Sequence, residues 1–318
     1  MTSRRAFLAA AGLLGIGALT GCSLLDPTIV GRTAAPGTGS AVPDTGIPYR
    51  DEGVTALSRV EGLARGVQAA TEQRLTSAQT ALLAWVVPAL AAQRAAVIRG
   101  TPVTDETPSP GASPSPSTGA TWQAFVGELS ASASGHARRA AGTRGADSLL
   151  WASLAGFAQS VADHPGTTTR STALVPALPV VGSEADALTD VVTQLHVLVF
   201  GVELALVPLR GSDAAYEQIS SAQSSWMQYR DDLSETLRSL GAPVPGSRAP
   251  YDIAAPESAA AATTLVADLE TRFLPTAGVW VAAADSTHPA ALDLLAAATA
   301  GAASFGGKLQ VWPGWPTR

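Results

Sequence analysis

The chain has 318 residues, a formal net charge of −6 and a single cysteine, Cys22. Its positive charge is almost all arginine, Lys308 being the one lysine, and no basic run or aromatic-interleaved basic patch breaks the acidic balance. Nucleic acid is therefore excluded as a partner on charge. No Cys/His set has zinc spacing, and neither a phosphate-cradling glycine loop outside the leader nor a Gly-x-Ser-x-Gly elbow is present.

The amino terminus carries the most specific signal. Ser3-Arg4-Arg5-Ala6-Phe7-Leu8 precedes a glycine-studded apolar stretch, and Leu19-Thr20-Gly21-Cys22 follows it. The first looks like a twin-arginine export motif and the second like a lipobox. Residues 1–21 are expected to be a signal peptide, with Cys22 lipidated as the first mature residue. Its acyl chains would fix the protein on the extracytoplasmic face of the cell membrane. Residues 22–50, rich in Gly, Pro, Thr and Ala without apolar periodicity, read as a flexible tether.

Residues 51–165 form an N-terminal helical region. Val54, Leu57, Val60, Leu63, Val67 and Leu75 make one patterned stretch, and Leu82, Trp85, Val86, Leu90 and Val97 a second, with a break expected near Leu75 to Ser77. Pro88 is expected to bend the second. The Pro/Ser/Thr-rich insert at 100–120 is expected to be disordered. Helical pattern resumes at Thr121 to Ala141, and Asp147 is the expected cap of a helix through Leu150, Leu154, Phe157 and Val161. Residues 166–183 read as a linker. His136, His164 and His288 are expected to face solvent, although His136 beside Arg138 and Arg139 could form an anion site.

Residues 184–318 are the best-patterned part. A helix from Glu184 to about Leu209 repeats Leu188, Val191, Leu195, Leu198 and Val202 at three- and four-residue steps. A second, from Ser212 to Leu240, has Tyr216, Ile219, Gln223, Trp226, Arg230, Leu233, Leu237 and Leu240 as its inward frame, and Gly241 as its stop. A proline-rich crossover follows. The third helix starts at Pro256 and Glu257, shows Leu265, Leu269, Phe273, Thr276 and Trp280, and is expected to kink or break at Pro275 and Gly278. Ser286 or Thr287 caps the fourth. Trp312 and Trp315 close the chain in an aromatic tail, expected as a strap over the bundle end, with a partner or membrane contact as the alternative.

Hairpin, crossover, hairpin is the order of a ferritin-like bundle. His196, the run Tyr229-Arg230-Asp231-Asp232-Leu233, Pro250-Tyr251-Asp252-Ile253 and Trp312-Pro313-Gly314 occur in that order. On these residues the region resembles the ferritin-like domain of actinobacterial exported proteins, domain of unknown function 4439. The resemblance implies an all-α fold and no particular activity. The N-terminal helices repeat the same layout, and are expected either to pack on this bundle as one larger body or to form a second bundle by duplication. The segment Ser130 to Gly145, polar and Gly-rich, favours the first.

Di-iron bundles take a Glu from each of two helices and Glu-x-x-His from the other two. Glu203, Glu217, Glu235, Glu257 and Glu270 all lack the histidine. Metal and cofactor are accordingly not expected. The inner faces instead offer His196 and Glu203, seven apart on one helix, and Gln223 and Arg230, seven apart on the next. A buried Glu203–Arg230 ion pair with His196 and Gln223 nearby is the expectation, against a reading in which both charges sit in water at the bundle edge. The leading function is a non-catalytic binding or scaffold lipoprotein of the cell envelope with a protein partner or small ligand. The alternatives are an exported metal- or redox-dependent enzyme and a small-ligand carrier using the bundle core.

Overall fold

The computed structural model describes residues 46–70, 72, 74–104, 113–166, 169–171, 175–248 and 251–316. The export motif, Cys22 and the tether up to residue 45 lie outside them. Eight helices occur among the described residues: α1 Arg50–Ala69, α2 Ser77–Arg99, α3 Trp122–Ala141, α4 Gly145–Asp163, α5 Glu184–Leu206, α6 Ala214–Ser239, α7 Ala259–Ala283 and α8 His288–Ser304. The fold is an all-α helical bundle.

Side-chain caps start several of these helices. Thr76 and Gln79 form a reciprocal capping box at α2, which places the break between α1 and α2. Ser183, Thr121 and Ser258 each accept from the backbone N–H three residues on, starting α5, α3 and α7. At α4 the helix begins earlier than expected. Arg144 holds the cap position and Asp147 lies inside the first turn, where a carboxylate still meets the positive end of the helix dipole.

Within each set of four, the first helix packs on the second and the third, and the third on the fourth: α1 on α2 and α3, α3 on α4; α5 on α6 and α7, α7 on α8. The front set thus repeats the contact order of the back set, with Trp85 of α2 against Phe157 of α4 (ring centroids 5.5 Å), and it also docks on the back set, through α4 on α7 and α8 and through α3 on α8. The two expected arrangements are not exclusive. The small residues of α3 that looked too polar for a core (Ser132, Ala133, Ala140) are buried, with Phe125, Leu129 and His136 supplying the bulk.

α7 runs unbroken through Pro275 and Gly278, contrary to the expected interruption. A proline costs one helical hydrogen bond, and here the helix is held on both sides by α5 and α8. Gly278 has a different job. A Cβ there would overlap the Gly314 carbonyl, so the glycine opens a slot in α7 for the returning C-terminal segment. That segment, residues 311–315, is wholly buried. It takes a hydrogen bond from Gln93 Nε2 of α2 to the Val311 carbonyl (2.9 Å), and turns at Gly314 with φ 86° against Leu149 of α4 and Leu295 of α8. Just before it, Leu309 pairs with the linker, receiving from Ser171 N (2.8 Å) and donating to Thr169 O (3.1 Å). The tail is thus a wedge between the two sets of helices, touching both.

Two further expectations change. The insert was expected to be disordered throughout 100–120, yet residues 113–120 lie on α1. Ser117 N donates to the Gly62 carbonyl (2.9 Å), Arg65 reaches Ser113 Oγ (3.1 Å), and Ala120 is buried. Gly62 and Gly66, one turn apart, leave α1 flat enough for this strand of chain to approach. His136 and His288 are buried rather than solvent-facing. His136 stacks on Trp151 at 5.5 Å and sits between Ser132 Oγ and Arg139. Burial, then the Arg139 charge, pushes its pKa down to about 3, so the ring is neutral and is not an anion site. His288 Nε2 meets Ser148 Oγ at 2.7 Å across the α4–α8 contact.

Candidate functional site

The four polar residues expected to share a site do not. Glu203 is exposed. Arg230, half-buried, pairs with its neighbour Asp231 (Nη2–Oδ1 2.7 Å), so the Glu203–Arg230 pair does not form and the edge-in-water reading describes Glu203. The reason is geometric: α6 lies on the outside of its set, burying only Ile219, Trp226, Leu233, Ser234 and Leu237, and its polar frame positions turn toward the rim. Gln223 is half-buried there. His196 is half-buried too, its Nε2 3.1 Å from the Pro245 carbonyl, which fastens α5 to the crossover.

The acid that is buried in this half is Glu270 of α7, at 1 % exposure. Trp226 Nε1 of α6 donates to its Oε1 at 2.7 Å. The indole is itself set by Phe273, edge-on at 5.8 Å, and by Tyr229 at 5.7 Å. Oε2 has no hydrogen-bond partner. Beside it stands Gly301 of α8, where a Cβ would sit 2.6 Å from Oε2; any larger residue would press on the carboxyl group. Burial pushes the Glu270 carboxyl up to about 7, and the Trp226 hydrogen bond offsets part of that rise.

Glu270, Trp226 and Gly301 form part of the wall of a cleft of about 330 Å³ between α6, α7 and α8. Its mouth carries the exposed Gln218, Ser221, Ser225 and Ser304, and Tyr229 and Phe305 complete the aromatic lining. Among the described residues the other titratable lining group is Tyr229, whose pKa is raised by burial and then by Asp293 of α8, so it stays neutral through the physiological range. Chemically this is a single carboxyl group at the foot of an aromatic, hydroxyl-rimmed recess. It does not fit a paired-metal centre: among the described residues no three of His, Cys, Asp and Glu converge on one point, and the neighbours of Glu270 are an indole and a glycine.

Residues 187–317 match the family model described as Domain of unknown function (DUF4439). The match runs from the first turn of α5 through the buried tail, so the cleft lies entirely within it and the front four helices lie outside. No curated protein and no solved structure matches the chain.

A second, larger cleft of about 500 Å³ lies between α3, α4 and α8. It is carpeted by alanines such as Ala133, Ala140, Ala155 and Ala296, with Arg144 and His288 among its polar lining.

The expected inward frame of α7 omits Glu270 because its first half lies one residue out of step with the buried face. The frame 265, 269, 273, 276, 280 takes Leu265 and Leu269 as its anchors, and both are only half-buried. The frame Val266, Glu270, Phe273, Ala277, Trp280 is the buried one. An acid on an unbroken four-three-four-three apolar frame is the signal that could have found it.

Proposed function

We propose that this chain is a lipid-anchored protein of the extracytoplasmic face of the cell membrane, tethered through Cys22, whose ferritin-like C-terminal bundle binds a ligand rather than carrying out chemistry. One observation supports the reading best: the bundle keeps a single, half-satisfied carboxyl group in a preformed aromatic cleft. A lone acid with no second carboxylate or imidazole among the described residues of the same recess is the arrangement of a binding site, in which one charged group in an aromatic cleft orients the ligand. The leader motif and the lipobox support the anchor, and the acidic surface argues against nucleic acid. Against the alternative of an exported metal enzyme stands the lack, among the described residues, of three converging His, Cys, Asp or Glu side chains.

The test is to purify the natively exported protein from membranes, determine metals by mass spectrometry, and look by native mass spectrometry for a small molecule released on unfolding. A bound small molecule without stoichiometric iron or manganese is the expected result. Two metal ions per chain would overturn the non-catalytic reading. Cys22→Ser should move the protein from the membrane pellet to the soluble fraction, and retention in the pellet would refute the anchor.

A further inference from the structure

We propose that the cleft between α6, α7 and α8 is a site for a small organic ammonium ion, with Glu270 as the counter-charge and Trp226 and Tyr229 as the walls. This rests on the binding role proposed above and names the ligand class. Buried carboxyl oxygens are almost always paired, yet Glu270 Oε2 is buried and unpartnered while its sister oxygen takes the Trp226 N–H. Ionised, the carboxylate only accepts, so the missing partner of that form is a donor. No arginine, lysine or histidine is among the described residues that line the cleft, so the protein does not supply a cation itself.

The chemistry of the lining narrows the donor. An anion would meet a carboxylate with no compensating positive group. A divalent metal would find one carboxylate where it needs several hard ligands. A plain hydrocarbon would fill the recess and leave Oε2 unpaired. An ammonium group suits all the parts at once. Its charge answers Glu270, the π systems of Trp226 and Tyr229, a tilted pair with ring centroids 5.7 Å apart in the cleft wall, attract a cation, and serine hydroxyls at the mouth accept its remaining N–H bonds. Ser225 Oγ already donates its proton to the Ser221 carbonyl, which leaves its lone pairs turned to accept. Gly301 is the second element of specificity, keeping clear the space beside Oε2 that a methyl group would occupy.

The test uses the full chain at pH 8, where Glu270 is ionised and Tyr229 is not. The indole N–H resonance of Trp226, identified by its loss in Trp226→Phe, is followed by NMR on titration with n-butylammonium, n-butanol and butyrate. Butylammonium is expected to shift it saturably and to bind at least tenfold more tightly than either control. Glu270→Gln, which keeps the shape and an acceptor for Trp226, should abolish that preference. Gly301→Ala, which retains the carboxylate but fills the space beside it, should weaken butylammonium at least severalfold. Circular dichroism and thermal midpoints confirm that both variants fold. If butanol or butyrate shifts the resonance and butylammonium does not, the cleft binds ligands but the ammonium assignment falls. If none of the three shifts it, the cleft is not a site for small molecules of this kind, and the binding role must lie on another surface.

Discussion

The front and back helices each bury one glutamate, and the two are treated in opposite ways. Glu61 of α1 is 0 % exposed and fully engaged: Arg65 grips Oε1 through Nε (3.0 Å) and Nη2 (2.8 Å), and Arg94 of α2 meets Oε2 at 3.2 Å. Glu270 of α7 is as deeply placed and has one indole N–H. Burial depth is therefore not what separates a structural carboxylate from a functional one. Partner count is. The charge of Glu61 is answered from within the chain and serves to join α1 to α2, whereas Glu270 is left with an oxygen for something else to answer.

The contrast breaks most sharply at Glu61. Glu61→Gln keeps the shape but strands the guanidinium groups of Arg94 and Arg65, 10 % and 29 % exposed, without their counter-charge. A loss of about 3–5 kcal/mol in urea unfolding is expected. A loss under about 1 kcal/mol would mean that water already screens the cluster and that the two glutamates do not differ in kind.

The same substitution at Glu270 should act with the opposite sign. Burial pushes its carboxyl from the ordinary 4.5 up to about 7, so the folded state holds a proton that the unfolded chain has released between those two values. Stability of the parent protein should therefore fall as pH rises from 4.5 to 7 and level off above. Glu270→Gln removes that slope. At pH 8 the variant should be more stable by up to about 3 kcal/mol, and the advantage should vanish below pH 4.5. Equal pH profiles for variant and parent would show that Glu270 is already paired or solvated, and would remove the basis for its role.

How much of this was legible depended on the local rule in play. Helix starts are legible near Glu184 and Thr287 because they are settled within a few residues: Ser183 caps α5 through its hydroxyl, whereas Thr287 holds the cap position of α8 with its hydroxyl turned to Glu184 and Trp280. The return of residues 311–315 between the two sets is not legible, since the slot is made by Gly278, and a glycine inside a helix reads as a flaw until its neighbour is known. The inward polar set failed for a related reason. A shared site for His196 and Glu203 of α5 with Gln223 and Arg230 of α6 requires α6 to face the core along its whole frame, and only the tertiary position of α6 at the rim shows that Gln223 and Arg230 do not, while Glu203 turns to solvent. Glu61 and Arg94 lie 33 residues apart on different helices, so no spacing within one helix joins them.

A third carboxylate extends the comparison to the surface. Glu184, the first residue of α5, is half-buried and reaches the start of α8, where its oxygens accept from Asp285 N (2.9 Å), Ser286 Oγ (3.0 Å), Thr287 N (2.7 Å) and Thr287 Oγ1 (2.7 Å). Burial alone would raise its pKa, but the donors from Thr287, Asp285 and Ser286 together outweigh it and hold the group at about 2. It is the mirror of Glu270: many donors and much water, against one donor and none. Because it is a folded-state depression, its contribution is present above pH 4.5 and is lost as pH falls toward 2. Glu184→Gln should cost about 1 kcal/mol at pH 7, the scale of a helix cap, and the difference from the parent should close as the buffer is acidified to pH 2. A loss at pH 7 as large as that expected for Glu61→Gln would mean that this half-buried link, rather than the buried ion cluster, is the stronger tie in the molecule, and the ordering by partner and burial would have to be reversed.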